Sequence, residues 1–208
     1  MSAPNPNVFI NCPFDADYRS CFEALLFAVT VSGYKVRCAL EDVDAANIRF
    51  DKLKALIRES RHTIHDLSRT EVGDNDLPRF NMPFELGLAL GAEHFGGPKL
   101  RNNSALIMVR ERYKLPAYLS DLAGSDPTAH GGNPHAVLRI VRGYLHTTPS
   151  GKLLPGPPSY VAGFTKFKAD LPAIAKRAEW GGENIDPLAD YRTYLEFLAE
   201  YIREAKQA

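Results

Sequence analysis

The apolar residues in the first half of the chain change their spacing repeatedly, from short continuous runs to runs with a helical period. Residues 8–12 form a short apolar run that stops at Pro13, which predicts a buried strand, because proline cannot donate to a strand ladder. Over residues 19–31 apolar positions recur every three or four residues, and Gly33 follows as a stop signal, so a helix is predicted. Residues 34–40 alternate and predict a second strand.

The same alternation of strand and helix continues along the chain. An amphipathic helix is predicted around residues 48–57, a strand over residues 62–67, a helix over roughly residues 83–94 and an apolar strand at residues 105–109. Strands separated by helices of this length predict right-handed crossovers and a mostly parallel sheet that is covered on both faces. We therefore predict an α/β, doubly wound fold.

The second half of the chain is predicted to be more helical than the first. Asn133 as N-cap and Pro134 at the first position begin a predicted helix. Residues 151–158 contain three prolines and two glycines, which is typical of a linker. Two helices are predicted after it, over about residues 160–179 and 187–206. We predict an α/β domain over residues 1–150 and a helical extension over residues 151–208, packed on that domain or on a second subunit.

Composition and charge narrow the classes of protein. The chain has 208 residues, of which 45% are hydrophobic, enough for one good core and a small appendage. Lys and Arg balance Asp and Glu at 25 each, so there is no broad positive surface for duplex nucleic acid or an anionic membrane. The N-terminal segment lacks the features of a signal peptide, and no apolar run is long enough to span a membrane. We expect a cytoplasmic protein.

Cysteine and histidine spacing predicts no metal site. The three cysteines are odd in number and lack a metal-ligand spacing, and they are expected to be small buried side chains; they are Cys12, Cys21 and Cys38. His62 and His65 lie three residues apart in a predicted strand and should point to opposite faces. His130 and His135 bracket a glycine pair in a flexible loop, and a metal site there is expected to have no carboxylate or cysteine support.

Polar residues follow the predicted strands at the edge where parallel sheets bind ligands. We expect these side chains to converge on one crevice, with Glu85 beside them; in chain order they are Asn11, Asp15, Tyr18, Glu41, Asp42, Asp66 and Ser68. Neither a GxGxxG nor a GxxxxGK[ST] motif occurs, which disfavours the dinucleotide-dehydrogenase and P-loop classes.

Glu85 is the most informative of these residues. It follows Pro83 by two positions, where the free N–H groups of a helix N-terminus would keep its carboxylate ionised. An ionised carboxylate in a partly dry cleft can attack or stabilise an electron-poor sugar carbon. The alternative is that Glu85 only complements the helix dipole, since acidic residues are common in first turns.

Asp66 and the loop after the first strand also have both a functional and a structural interpretation. Asp66 ends an apolar strand and could bind ribose hydroxyls or help a leaving base, or it could cap a turn. Asn11 and Asp15 bracket Pro13 and Phe14, so this loop could present an amide, a carboxylate and an aromatic ring to a planar ligand. An ordinary Asx turn is the alternative there.

Three segments together resemble the nucleoside 2-deoxyribosyltransferases. They are Val-Phe-Ile-Asn-Cys-Pro-Phe at residues 8–14, Ile-His-Asp-Leu-Ser at residues 64–68 and Phe-Glu-Leu-Gly-Leu-Ala at residues 84–89. The resemblance covers about residues 7–110, and Phe-Glu-Leu-Gly is its most specific part. It implies a flavodoxin-like fold, which the related TIR-type domains share; many of these cleave the nicotinamide–ribose bond of NAD.

The resemblance assigns roles to individual residues. The family's nucleophilic glutamate falls on Glu85, its base-contacting aspartate on Asp66, and its first-loop residues on Asn11, Phe14 and Asp15.

This chain departs from the family just before the glutamate helix. Residues 78–83 read Pro-Arg-Phe-Asn-Met-Pro, where the transferases usually carry an Asp-Xaa-Gly-Thr-like stretch. Arg79 could pair with a pyrophosphate through two hydrogen bonds, which favours a dinucleotide such as NAD over a free deoxynucleoside. Ser68 and Asn81 complete the set of residues expected to bind substrate.

The leading hypothesis is an N-glycosidase that hydrolyses NAD and releases nicotinamide, with no metal and no cofactor beyond NAD as substrate. One alternative is a catalytically silent TIR-like module that senses a nucleotide or assembles. A second is a nucleoside deoxyribosyltransferase that exchanges bases. The expected partner is a small nucleotide or nucleoside, with no duplex nucleic acid and no membrane, and a homo-oligomer is compatible with the sequence.

Overall fold

A computed structural model describes residues 6–41, 48–70, 79–101, 103–112, 117–122, 124–148, 153–180 and 185–207. Its strands are β1 Asn7–Asn11, β2 Lys35–Cys38, β3 His62–Asp66, β4 Ser104–Val109 and β5 Thr128–Ala129. Its α-helices are α1 Arg19–Val31, α2 Arg49–Glu59, α3 Asn81–Phe95, α4 Pro134–Thr147, α5 Pro157–Arg177 and α6 Tyr191–Gln207. A short 3₁₀ helix spans Ala117–Leu122.

The five strands form one parallel sheet in the order β2-β1-β3-β4-β5. This is the strand order of flavodoxin-like doubly wound folds, so the predicted fold class is confirmed. The order reverses between β1 and β3, and ligands of such sheets bind beyond the carboxyl ends of the strands at that switch point. Asn11 and Asp66 are the last residues of these two strands.

The chain divides into two compact units, which do not follow chain order. The sheet unit comprises Met1–Pro13 and Lys35–Asn133, and the helical unit comprises Phe14–Tyr34 and Pro134–Ala208. The sheet, α2 and α3 therefore belong to the first unit, and α1, α4, α5 and α6 to the second. The domain boundary predicted at residue 150 divides the chain by sequence position and stays a prediction.

Two apolar clusters hold α3 in the sheet unit. In the first, Phe9 of β1 packs with Leu56 and Ile57 of α2 and with Ala89 of α3. In the second, Met82 and Leu86 of α3 pack with Leu67 and Val109, which follow or end strands. Because α3 contributes to both clusters, its rotation about its own axis is fixed, and so is the direction of every side chain near its start.

The helical unit is built around α1. Residues 21–29 of this helix are all buried, and the Phe27 ring contacts the rings of Phe164, Phe167 and Tyr201. The unit also contains an ion pair between the exposed Lys168 on α5 and Glu23 on α1, which is almost inaccessible to solvent. Among the described residues, no helix combines the length and apolar character needed to cross a membrane.

Several element boundaries differ from the predictions by a few residues, and two short elements were missed. Helix α3 begins at Asn81 instead of residue 83, and α6 begins at Tyr191 instead of residue 187. The two-residue strand β5 and the 3₁₀ helix were not predicted, because elements this short show no periodicity. The remaining predicted strands and helices are present. Asp42, expected near the crevice, lies outside the described residues.

Gly33 provides a test of the end of α1. Its φ is 85°, a conformation that an L side chain adopts only with strain, whereas Gly143 lies inside α4 with open space around the position of a Cβ atom. We expect Gly33→Ala to lower the free energy of unfolding by ~1 kcal/mol. Gly143→Ala should raise it by ~0.5 kcal/mol, because alanine loses less backbone entropy in a helix. Urea denaturation measures both, and equal effects would contradict the left-handed stop at Gly33.

Candidate functional site

The structure brings most of the predicted site residues to one edge of the sheet unit. Asn11 and Asp66 end neighbouring strands, and Ser68 follows two residues later. Helix α3 begins at the same edge, since it follows β3 in the chain, and it carries Asn81 and Glu85 near its start. Arg79 and Asn81 are exposed, whereas the other residues named in this paragraph are buried.

Phe14 and Asp15 belong to the helical unit and make contacts within it. The Phe14 ring packs edge-on against Phe22, with 5.2 Å between the ring centroids. The Asp15 Oδ1 accepts a hydrogen bond from the Tyr18 backbone N–H at 3.1 Å. This is the Asx-turn interaction that was the alternative to ligand binding for this loop. The Phe14 ring packs within the helical unit.

The amide of Asn11 connects β1, β3 and α3. Its Nδ2 donates to the Met82 carbonyl oxygen at 2.9 Å and lies 3.0 Å from the Nδ1 of His65. Because a carbonyl oxygen can only accept, the atom facing Met82 must be the amide nitrogen, and its second hydrogen points to His65. Both hydrogens of the amide are therefore used inside the protein, and Asn11 positions α3.

His65 receives that hydrogen bond as a neutral imidazole. Accepting at Nδ1 places the proton on Nε2, which is buried and has no hydrogen-bond partner in the described part of the protein. Burial lowers the pKa of His65 to about 3, so the ring stays uncharged at neutral pH. Its edge packs on Phe9 at a centroid distance of 6.0 Å. His62 and His65 lie on opposite faces of β3, as predicted.

Asp66 is completely buried, with 0% of its surface exposed. Its Oδ1 accepts the Ser68 backbone N–H at 2.9 Å, and its Oδ2 lies 3.0 Å from the Nε2 of His130. The prediction that His130 lacks a supporting carboxylate is wrong. The partner is 64 residues away in the chain and reaches His130 only because β3, β4 and β5 are neighbours in the sheet.

Ser68, His130 and Asp66 together do not form a nucleophilic triad. The Ser68 Oγ lies 2.7 Å from the same His130 Nε2 that faces Asp66, while the Gly132 backbone N–H donates to Nδ1 at 3.1 Å. In a triad the serine and the carboxylate occupy different ring nitrogens. All three side chains are also buried, so this cluster joins the loops after β3 and β5 and is not itself a reaction centre.

Glu85 lies in a different environment. It is the fifth residue of α3 and therefore lies beyond the first turn, so its predicted position among the free N–H groups is wrong. Only 8% of its surface is exposed, and among the described residues no hydrogen bond to its carboxylate contributes to its pKa. Burial raises the pKa of Glu85 to about 7, against a smaller lowering effect of the Arg49 charge.

This pKa changes the expected charge state of Glu85. The helix dipole was expected to keep the carboxylate ionised, whereas removal from water favours the protonated form. With a pKa of about 7, both forms are present near neutral pH. A group of this kind can accept and release protons or act as a nucleophile once ionised.

Arg49, Phe50 and Phe84 were not predicted as site residues. Arg49 and Phe50 begin α2, and Phe50 packs against Phe84 with 6.0 Å between ring centroids. Phe84 directly precedes Glu85, and this adjacency was the one local signal. The N-terminus of α2 should lie at the same sheet edge as that of α3, because each helix follows a parallel strand.

The remaining polar and metal-ligating candidates have other roles. The Nε of Arg37 donates to both carboxylate oxygens of Glu41, at 2.8 and 2.9 Å. The three cysteines are buried and form no disulfide bond with one another. Within the described ranges, no three His, Cys, Asp or Glu side chains are grouped so that they could hold a metal ion.

The raised pKa of Glu85 predicts a stability change with pH. A carboxyl whose folded pKa exceeds its unfolded value stabilises the protein below the unfolded pKa, and this contribution is lost as the pH rises through the folded pKa. Glu85→Gln removes the ionisation, so the stability of this variant relative to the parent should increase from pH 4.5 to about 7 and then level off. Urea denaturation across this range measures it.

Glu93→Gln is the matched control, because Glu93 lies on the same helix and is partly exposed. Its stability difference from the parent should stay flat across the same pH range. A flat difference for Glu85→Gln as well would show that Glu85 is not ionising in a desolvated site.

Asp66→Asn tests the buried cluster. Whichever way the amide is turned, its NH₂ group faces an N–H donor, either that of Ser68 or that of His130. We expect a loss of ~1–3 kcal/mol in the free energy of unfolding, since a buried donor is left without an acceptor. Asp170→Asn, which breaks the surface pair with Lys166, is the control and should cost much less, because exposed ion pairs contribute little to stability. Equal losses would contradict the role of Asp66 in this cluster.

Comparisons with known proteins assign no family to the chain. No family model matches the sequence, and no curated protein is significantly similar to it. The resemblance to nucleoside 2-deoxyribosyltransferases and TIR-type domains therefore stays a prediction from the three segments that carry it. The contacts of Glu85 and its neighbours are the basis for a functional proposal.

Proposed function

We propose that the protein is an N-glycosidase that cleaves the base–ribose bond of a nucleotide, with NAD as the favoured substrate and Glu85 as the catalytic carboxylate. The observation that carries the proposal is Glu85 itself. It is a buried carboxyl at the ligand-binding edge of a parallel sheet, with a pKa of about 7 to which no hydrogen bond from the described residues contributes. A carboxylate used only for structure would be expected to have such hydrogen bonds.

The reaction needs one negatively charged group that stabilises the positive charge forming on the sugar as the base–ribose bond breaks. The ionised Glu85 carboxylate either bonds to ribose C1′ or stabilises the cation that forms there, while the C–N electron pair leaves with the base. Water then supplies the hydroxyl at C1′, and its proton passes to Glu85 or to solvent. The products are the free base, the ribosyl compound and one proton.

The burial and hydrogen bonding of Asp66 favour NAD over a neutral nucleoside as the substrate. A neutral base leaves readily only when an acid protonates it, whereas nicotinamide is already cationic in NAD and leaves as a neutral molecule. Asp66, the second expected carboxylate, is fully buried with both oxygens hydrogen-bonded. Of these two carboxylates, only Glu85 can therefore contact a substrate. A substrate with a cationic leaving group needs only one carboxylate.

The charge near the start of α3 supports a phosphorylated substrate. Arg79 is exposed two residues before the helix, and Arg49 is exposed at the first position of α2. Helix N-termini favour anions because their N–H groups and dipoles point outward. A pyrophosphate would meet the Arg49 charge and the starts of two helices at this edge, which a free nucleoside would leave unused.

A silent nucleotide-binding module is the second candidate, and one observation favours it. The hydrogens of the Asn11 amide and the oxygens of Asp66 are all used within the protein, so two groups expected at the substrate are unavailable. In such a module NAD would change the oligomeric mass measured by light scattering, with no release of nicotinamide. The same samples serve the activity assay.

The glycosidase proposal predicts nicotinamide release from NAD by the pure protein, measured by chromatography. Glu85→Gln should lower kcat by at least ~100-fold, because the amide cannot carry the negative charge. In the parent protein kcat should rise with pH and level off above about 7, since the ionised form is active.

Glu93→Gln is again the control and should retain the parent rate. Full activity of Glu85→Gln would remove Glu85 from the mechanism. Release of base from neutral nucleosides in preference to NAD would overturn the substrate assignment.

A further inference from the structure

The large aromatic side chains beside Glu85 are exposed, although apolar rings are normally buried. Phe84 is 54% exposed and Phe50 is 42% exposed, and their rings face each other at an interplanar angle of 33°. Phe80 and Ile48, at the same two helix starts, are also exposed. The aromatic pair is defined as Phe50 and Phe84.

The pair cannot take a ligand ring between its members. The centroids are 6.0 Å apart, whereas an intervening ring needs ~7 Å, twice a van der Waals contact. The Lys54 ammonium already lies over the Phe50 ring, 4.8 Å from its centroid. Phe84 is therefore the member with a face available for a ligand, and Phe50 supports it from behind.

The aromatic pair and Glu85 are linked through neighbouring residues of α2 and α3. Phe50 packs against Phe84, and the charge of Arg49, which precedes Phe50, acts on Glu85, which follows Phe84. A ring stacked on Phe84 would therefore lie beside the residue that carries the carboxyl.

We propose that Phe84 is the stacking platform for a cationic heteroaromatic ring, and that this ring is the leaving base of the substrate. The inference rests on the proposed function and extends it to a residue that fixes substrate choice. The face of a phenyl ring is negative and attracts a cation, so it favours the pyridinium ring of NAD over a neutral base. Lys54 shows that the pair already holds one cation.

The cation that lies over Phe50 is already paired. The Lys54 ammonium is 2.5 Å from a carboxylate oxygen of Asp51, so a ligand cation at the aromatic pair would not meet a bare ammonium group.

The test uses 1-methylnicotinamide, a pyridinium ion without a ribose bond, and neutral nicotinamide as its partner probe. Neither can be hydrolysed at a base–ribose bond, so binding is measured apart from turnover. The parent should bind the cation more tightly, and Phe84→Leu should reduce that preference by ~3- to 30-fold. Phe84→Tyr keeps the ring and should keep the preference. Calorimetry or ligand-observed NMR gives the affinities.

Phe95→Leu is the matched control, because Phe95 is a 91% exposed phenylalanine at the far end of the same helix. It should leave both affinities unchanged. An unchanged preference in Phe84→Leu would overturn the proposal. The proposal would also be overturned if Phe84→Leu changed the oligomeric mass but kept the same cation preference. The aromatic pair would then be a subunit interface. If Glu85→Gln no longer releases nicotinamide from NAD but still binds the cation, ring binding is independent of catalysis. The stacking proposal and the glycosidase proposal can therefore fail separately.

Discussion

The hydrogen bonds of the Asn11 amide are the constraint on which the site depends. One amide hydrogen bonds to the carbonyl oxygen of Met82 in the first turn of α3, and the other bonds to His65 on the neighbouring strand. A slip of one residue between β1 and β3 would move Asn11 to the other face of the sheet and remove both bonds. The position of Glu85, one turn further along α3, therefore depends on the register of β1 against β3.

Two carboxylates at the same sheet edge have opposite environments. Asp66 is fully buried and both its oxygens accept hydrogen bonds, so it holds two loops together. Glu85 is nearly as buried, but no hydrogen bond from the described residues contributes to its pKa, which is raised to about 7. Removal from water is one way in which proteins tune a carboxyl group for proton transfer or nucleophilic attack near neutral pH. This contrast, more than the resemblance to a family, directs the functional proposal to Glu85.

The periodic elements could be predicted because their signal is local. The α1 boundaries agree with the apolar spacing, and β1, β3 and β4 agree within a residue or two. The start of α3 was misplaced because Pro83 was taken as its first residue. The first four N–H groups of a helix have no partner within it, so proline is tolerated at the third position and does not mark the start. That shift moved Glu85 out of the first turn.

The sequence by itself determined the alternation of strands and helices, the parallel sheet, and the placement of Asn11, Asp66 and Glu85 near one edge. These follow from side-chain periodicity and from the rule that parallel strands end together. Only the tertiary structure decided that His130 meets Asp66, that Phe50 packs on Phe84, and that Glu85 is shielded from water. These features depend on contacts between residues far apart in the chain and on the exclusion of water by the whole unit, and neither is encoded in local spacing.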